Sequence, residues 1–314
     1  MEYRKLANTG LKVSLVGIGC NNFGRRCDAL ATAAVVDAAI DTGVNFFDSA
    51  DIYGPNGLSE EYLGQAIKSK DRSSIVIASK FANPMGEGDL QRGASRRYIL
   101  NAVDASLKRL GTDYIDLYQQ HVPDNETPIE ETLRALDDLV RAGKVRYIGH
   151  SNFSGWQLAD ADWTAKHHEL HRFVTAQNHY SLIDRRLEKD VIPAAQQFGI
   201  GILPYFPLAS GLLTGKYKRG EAPPQGTRLA AWGERGVASL SEQNFAIVDK
   251  LSAFAEARGH TLLELAMSWL ASKPYISSVI AGATSASQVE QNAAAIAWRL
   301  TEAEMTMVNE LSAR

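Results

Sequence analysis

Eight short runs rich in β-branched and aromatic residues recur along the chain, and helical patterns lie between them. The runs are SLVGIGC (14–20), VNFFDSA (44–50), SIVIASK (74–80), YIDLYQQH (114–121), VRYIGHS (145–151), FVTAQNHYS (173–181), IGILPYFP (200–207) and ISSVIAGA (276–283). Most are almost continuously apolar, as strands buried on both faces of a parallel sheet are. The intervening stretches ATAAVVDAAIDTG (31–43), RRYILNAVDASLKRLG (96–111) and IEETLRALDDLVRAGK (129–144) are amphipathic. In the last two, apolar residues return every three or four positions and a glycine near the end predicts the C-cap. Eight such β-then-α units with right-handed crossovers close most simply into a (β/α)8 TIM barrel, an α/β fold. An open doubly wound sheet is the alternative topology.

Two features fall outside the repeat. NTG (8–10), flanked by YRKL and LKVS, predicts a small N-terminal hairpin capping one end of the barrel. The long loop after the seventh strand, KYKRGEAPPQGTRLAAWGERGVAS (216–239), has no sustained period and is expected to act as a mobile lid. The tail from Thr301 to Arg314 predicts a terminal helix laid against the barrel, and no internal linker or low-complexity segment separates the elements. A single domain over 1–314 is the expectation.

Composition narrows the functional classes. Of 314 residues, 45% are hydrophobic and 22% charged, with a formal charge of -3, so the chain belongs with globular proteins and no partner is forced by charge. No basic stripe interleaved with aromatics is present, which argues against nucleic acid. No apolar run approaches roughly 18 residues, and the N-terminus lacks a signal-peptide pattern. No membrane association is expected, and a cytoplasmic location is the default. Cys20 and Cys27 fit no CxxC motif and are expected to be free thiols. HHELH (167–171) brings His167 and His171 one helical turn apart without the HExxH order, so no metal site is predicted.

In a barrel of this kind reactive groups gather at the C-terminal ends of the strands. The second strand is expected to end at Asp48, with Tyr53 in the loop beyond it, the third at Lys80 and the fourth at His121. Singly, such residues are ordinarily a helix cap, a solvated lysine or a core histidine. Together on consecutive strands they predict a site. A tyrosine hydroxyl is a weak acid near neutral pH unless a cation favours its phenolate; Lys80 supplies the cation, and Asp48 keeps that lysine charged. Neutral His121 can donate a hydrogen bond to a carbonyl. This is a general acid with its tuning groups, suited to carbonyl reduction, and the hydride must then come from a nicotinamide.

These residues, with NFFDSADIYG (45–54), IASK (77–80), LYQQH (117–121), IGHSNF (148–153), AQNHYSL (176–182), YFPLASGLLTGKY (205–217) and IAGATSASQVEQN (280–292), resemble the aldo-keto reductases over nearly the whole length. The resemblance implies a barrel that binds an extended nicotinamide dinucleotide without a glycine-rich GxGxxG loop. It also implies Tyr53 as general acid and Asp48, Lys80 and His121 as the rest of its tetrad. Ser151, Asn152 and Gln177 then hold the nicotinamide carboxamide and Tyr205 stacks on its ring. Leu208, Ser210, Gly211, Leu213 and Lys216 follow the pyrophosphate, and Thr284, Ser285, Gln288 and Asn292 lie at the adenosine end. No Lys or Arg stands in TSAS, and Gln288 occupies a position where some members carry arginine; Arg228 in the lid is expected to compensate. NADPH is the expected cofactor, with NADH or dual use the alternative. The loops 21–30 and 81–95 and the lid are expected to shape the substrate pocket through Phe23, Phe81 and Trp232. A carbonyl reductase or alcohol dehydrogenase acting on an aldehyde or ketone is the implied function, with a cofactor-binding, redox-sensing regulatory subunit of membrane channels as the alternative.

Overall fold

β1 (Tyr3–Lys5) and β2 (Lys12–Ser14) pair antiparallel, with Arg4 opposite Val13, and precede eight parallel strands. These are β3 (Val16–Gly19), β4 (Phe46–Asp48), β5 (Val76–Phe81), β6 (Ile115–Gln120), β7 (Val145–Ser151), β8 (Thr175–His179), β9 (Gly201–Tyr205) and β10 (Val279–Gly282). In this computed structural model, which describes residues 1–313, they close in the order β10-β3-β4-β5-β6-β7-β8-β9. Each predicted run holds one barrel strand. The open doubly wound sheet is ruled out by the closure of β10 onto β3, with Val279 opposite Val16.

The three amphipathic stretches form helices Ala29–Asp41, Arg96–Leu110 and Ile129–Arg141. Asp28 and Ser95 accept hydrogen bonds from the N–H groups of Ala31 and Tyr98 and so cap the first two. Gly111 stops the second in the left-handed region at φ 63°. In the third, Leu133, Leu136 and Leu139 are buried while Arg134 and Asp138 face outward.

Apolar side chains fill two zones. Helices and strands enclose an outer layer, and a smaller inner cluster of Leu6, Val13, Phe46, Val76, Ala78, Leu117, Leu203 and Ile280 fills the barrel near the hairpin. The hairpin therefore caps that end, as predicted. Gly17 is part of this fit, because a Cβ there would fall 2.9 Å from both the Phe46 ring and Ile280 Cδ1. Arg4 fastens the hairpin by donating to the carbonyls of Ala271, Lys273 and Ile276.

The segment 216–239 departs from the expectation of a featureless loop. It contains short helices Arg228–Ala231 and Glu234–Ala238, the first capped by Thr227, and Arg219 pairs with Glu242 and with Asp249 at 2.6 Å. Helices this short show no readable period. The tail forms helix Glu302–Leu311 with a capping box between Thr301 and Glu304. Trp269 Nε1 donates to Asn309 Oδ1 at 2.9 Å and anchors it. Both cysteines are free and buried, and among the described residues no helix is long and apolar enough to cross a membrane.

Candidate active site

Adjacent strands β4, β5 and β6 bring three of the predicted groups to one rim: Asp48 ends β4, Lys80 lies near the end of β5, and His121 follows β6. Lys80 is fully buried, and its Nζ donates to Asp48 Oδ2 at 2.6 Å and to the Ser49 carbonyl at 2.8 Å. The other Asp48 oxygen accepts from Gln119 Nε2 at 3.1 Å and from Gln177 Nε2 at 2.9 Å. Burial works against the lysine charge, but Asp48 and Tyr53 beside it outweigh that and hold the ammonium above its usual range. The pair is thus a buried charge with its partner and hydrogen bonds in place.

Tyr53 stands over this pair. Lys80 Nζ lies 5.0 Å from the centre of its ring, and the His121 ring meets it edge-on at 5.5 Å. Burial raises the Tyr53 hydroxyl above its ordinary value; Lys80 pulls the other way without reversing it. This corrects the expectation of a tyrosine made more acidic than in water, because desolvation of the phenolate is the larger effect. His121 is pushed down to about 3 by burial and by Lys80, and its Nδ1 is buried without a partner. Its ring is neutral at pH 7, as the reading of it as a hydrogen-bond donor requires.

A cavity of about 620 Å³ opens from Tyr53, Asp48 and His121 along the C-terminal strand ends. Ser151, Asn152, Gln177 and Tyr205 line it next to the tetrad, then Leu208, Ser210, Gly211, Lys216 and Arg228, and finally Thr284, Gln288 and Asn292. Asn152, held at φ 62°, donates to the His121 carbonyl and to Ser151 Oγ, each at 3.0 Å, and accepts from the Tyr205 hydroxyl at 2.8 Å. Gly211 has a φ of 96°, a backbone conformation that favours glycine, and a Cβ there would sit 2.5 Å from Lys216 Nζ, so the end of that flexible side chain would have to move.

Several expectations do not match this placement. Phe23 and Phe81 are fully buried in the outer core and outside the cavity, Phe81 packing on Tyr118 with ring centres 5.0 Å apart. Phe81 is the last residue of β5 and Phe23 follows a single turn of 3-10 helix, and both rings turn inward, where aromatic area is best buried. Trp232 is half-buried, is not among the residues that line the cavity, and meets the lining residue Phe206 with ring centres 5.8 Å apart. Leu213 is a core residue, and exposed Ser285 caps helix Ala286–Ala294. Arg228 does not sit against Gln288: its Nη2 donates to Asn21 Oδ1 at 3.1 Å and Asn22 Oδ1 at 3.3 Å, and its guanidinium lies 4.8 Å from the Phe206 ring.

The structure adds residues that the sequence did not mark. Arg26 lines the same cavity, donates to the Gly226 carbonyl at 2.6 Å, and with burial helps hold Lys216 and Arg228 below their usual pKa ranges. Clustered cations repel one another, and the cavity they surround favours an anion. Its only sequence signal was the basic pair in FGRR. His179 stacks on Tyr205 with ring centres 5.6 Å apart and 13° between planes, and its Nδ1 lies 3.1 Å from Asp184 Oδ2. No spacing rule points to it. HHELH forms surface contacts instead, His171 Nδ1 lying 2.6 Å from Asp137, and the described residues hold no cluster suited to a metal.

A model of the Aldo/keto reductase family matches residues 15–313. The chain is 39% identical over 302 residues to a probable voltage-gated potassium channel subunit beta of Arabidopsis thaliana, covering 94% of this chain and 91% of that protein. It is 36% identical over 321 residues to the uncharacterized oxidoreductase YrpG of Bacillus subtilis, with 99% and 96% covered. Against the L-glyceraldehyde 3-phosphate reductase of Escherichia coli it is 34% identical over 311 residues, with 94% and 88% covered. A closed parallel barrel, a rim of convergent polar groups and a family match over nearly all the chain agree: this protein belongs to the aldo/keto reductase family and is an oxidoreductase acting on carbonyl groups.

Proposed function

We propose that the protein interconverts an aldehyde or ketone with its alcohol using NAD(P)(H), and that Tyr53 is the general acid in reduction and the general base in oxidation. The observation that carries this reading is the buried Lys80–Asp48 pair at 2.6 Å directly beneath the Tyr53 ring. Bound in the cavity, a nicotinamide dinucleotide supplies or accepts the hydride. The lining fits such a group. Ser151, Asn152 and Gln177 offer donors and acceptors to an amide, Tyr205 offers a flat face, and Arg26, Lys216 and Arg228 suit phosphates.

A substrate carbonyl placed against Tyr53 and His121 meets two donors. Tyr53 gives its proton to the oxygen as charge develops there, and the nearby ammonium of Lys80 stabilises the phenolate left behind. Because burial alone disfavours that phenolate, the loss of Lys80 is expected to be felt strongly. His121 remains neutral throughout and orients the oxygen.

NADPH is the proposed cofactor on family grounds, with NADH or dual use as the alternative, since Thr284 to Asn292 carries no cation. A cytoplasmic location belongs to the same reading. A panel of carbonyls and alcohols, assayed with both dinucleotides, tests it; binding of dinucleotide without turnover of any compound would overturn it. That result would favour the second reading, a cofactor-binding regulatory subunit, which is supported by the relatives named as potassium channel beta subunits.

A further inference from the structure

Two residues before Tyr53, Asp51 is 1% exposed, and its Oδ1 is buried without a hydrogen-bond partner. Its N–H donates to the Lys80 carbonyl at 3.1 Å, which fixes it beside the catalytic rim. The Tyr98 hydroxyl oxygen lies 3.5 Å from Asp51 Oδ2 and 3.2 Å from the Asn83 carbonyl oxygen. A hydroxyl carries one hydrogen, and a carbonyl can only accept. When the shorter contact takes the Tyr98 hydrogen, the contact to Asp51 is satisfied only if Asp51 supplies the proton.

The surroundings favour that neutral form. Glu60 from helix Leu58–Ile67 is fully buried and is the carboxylate nearest in effect; Arg109, which would otherwise offset both acids, is bonded to Glu60 at 2.7 Å. Tyr98 from helix Arg96–Leu110 and Tyr118 from β6 complete the titratable groups around it. Burial first and Glu60 second push the Asp51 carboxyl up to about 8. Ionisation would bury a charge with one oxygen unpartnered and set it against Glu60.

What Asp51 reaches through Tyr98 is the start of the segment after β5, one of those expected to shape the substrate pocket. Ala82 there is held at φ 98°, a sparsely populated conformation for a residue with a Cβ, and its carbonyl accepts from Gly93 N–H at 2.9 Å. We propose that Asp51 is a positioning residue which, as a neutral carboxylic acid, donates through Tyr98 to Asn83 and ties the Tyr53 loop to the segment 82–95; ionisation of Asp51 releases that tie. Its kinetic consequence rests on the proposed role of Tyr53, whereas its effect on stability does not.

The test compares wild type, Asp51→Asn and Tyr98→Phe as full chains between pH 5 and 9, by thermal midpoint and by steady-state carbonyl reduction. A carboxyl raised in the fold contributes stability that is complete below its unfolded value near 3.8 and is lost as the pH rises through about 8. The wild-type midpoint should therefore fall relative to Asp51→Asn from pH 5 to 8, since the amide keeps an N–H donor and cannot ionise. In kcat/KM, wild type should show a limb near pH 8 that Asp51→Asn lacks. Parallel midpoint curves, or a limb that persists in Asp51→Asn, overturn the proposal. Tyr98→Phe removes the bridge and should raise KM for the carbonyl several-fold while dinucleotide Kd stays within twofold; an unchanged KM overturns the bridge. If no carbonyl is turned over, the reductase reading fails, and the thermal curves still decide the ionisation of Asp51.

Discussion

The two ends of the cavity are built on different principles. At the β4–β6 rim, both oxygens of Asp48 and the ammonium of Lys80 are buried and bonded, so the charges are held before any ligand arrives. At the β10 end, Thr284 donates through its N–H and hydroxyl to Gln288 Oε1 at 2.8 and 3.2 Å; these groups are partly exposed, neutral and bonded to each other. The cations that suit a phosphate come instead from two loops, Arg26 and the pair Lys216 and Arg228. One end is preorganised by burial, which suits transition-state stabilisation. The other assembles charge from surface loops, which suits binding and release.

The sharpest way to break this contrast is Tyr53→Phe. It should lower turnover by about 10²- to 10⁴-fold, the usual share of general acid catalysis, while dinucleotide Kd changes less than twofold. Weakened binding with preserved turnover would mean that the two ends had been read the wrong way round. Next, Lys80→Met leaves Asp48 as a buried unpaired charge, which typically costs about 3–5 kcal/mol of stability. A fall in thermal midpoint should accompany loss of activity. Because the Lys80 pKa is raised in the fold, its stabilising effect is full below about 10.5 and fades only as the pH rises beyond that, so the difference between wild type and variant should persist across pH 6 to 9.

A smaller effect is expected at the loop end. Arg228→Ala removes one charge-assisted contact and should weaken NADPH roughly tenfold by direct titration, and NADH less, if the guanidinium reads the 2′-phosphate. Equal losses would assign it to groups common to both dinucleotides, as its hydrogen bonds to Asn21 and Asn22 also allow. Smallest of all, His179→Ala removes the ring stacked behind Tyr205 and should weaken either dinucleotide about two- to tenfold, the range of an aromatic pair. His179→Phe should restore most of that, since it keeps the stack and loses only the Asp184 contact; no difference between Ala and Phe would remove His179 from the platform.

Much of the preorganised end was readable from the chain. Apolar runs ending in Asp48, Lys80 and His121 placed chemistry at strand ends because strand periodicity and barrel closure together dictate where such residues emerge. The direction in which side chains at strand ends and in the loops beyond them turn is not written in any period. Phe23 and Phe81 therefore had the look of pocket residues and proved to be core, while Arg26 lay unnoticed beside them. The acidity of Tyr53 failed for another reason. Charge partners can be guessed from residue types, but the opposing effect of burial depends on the packed site. Asp51 and Tyr98, 47 residues apart, were invisible together for the same reason.

Arg4 reaches carbonyls at Lys273 and Ile276, up to 272 residues further along the chain. The hairpin is thus held by a segment far from it along the chain. Until β10 has been made, Leu6 and Val13 lack Ile280 as a neighbour and β3 lacks one of its flanking strands. Contacts of such sequence separation slow folding, because the chain must close a long loop before they form. Closure of the barrel therefore waits on the docking of β10, and until that strand is in place β3 stands at the open edge of the sheet.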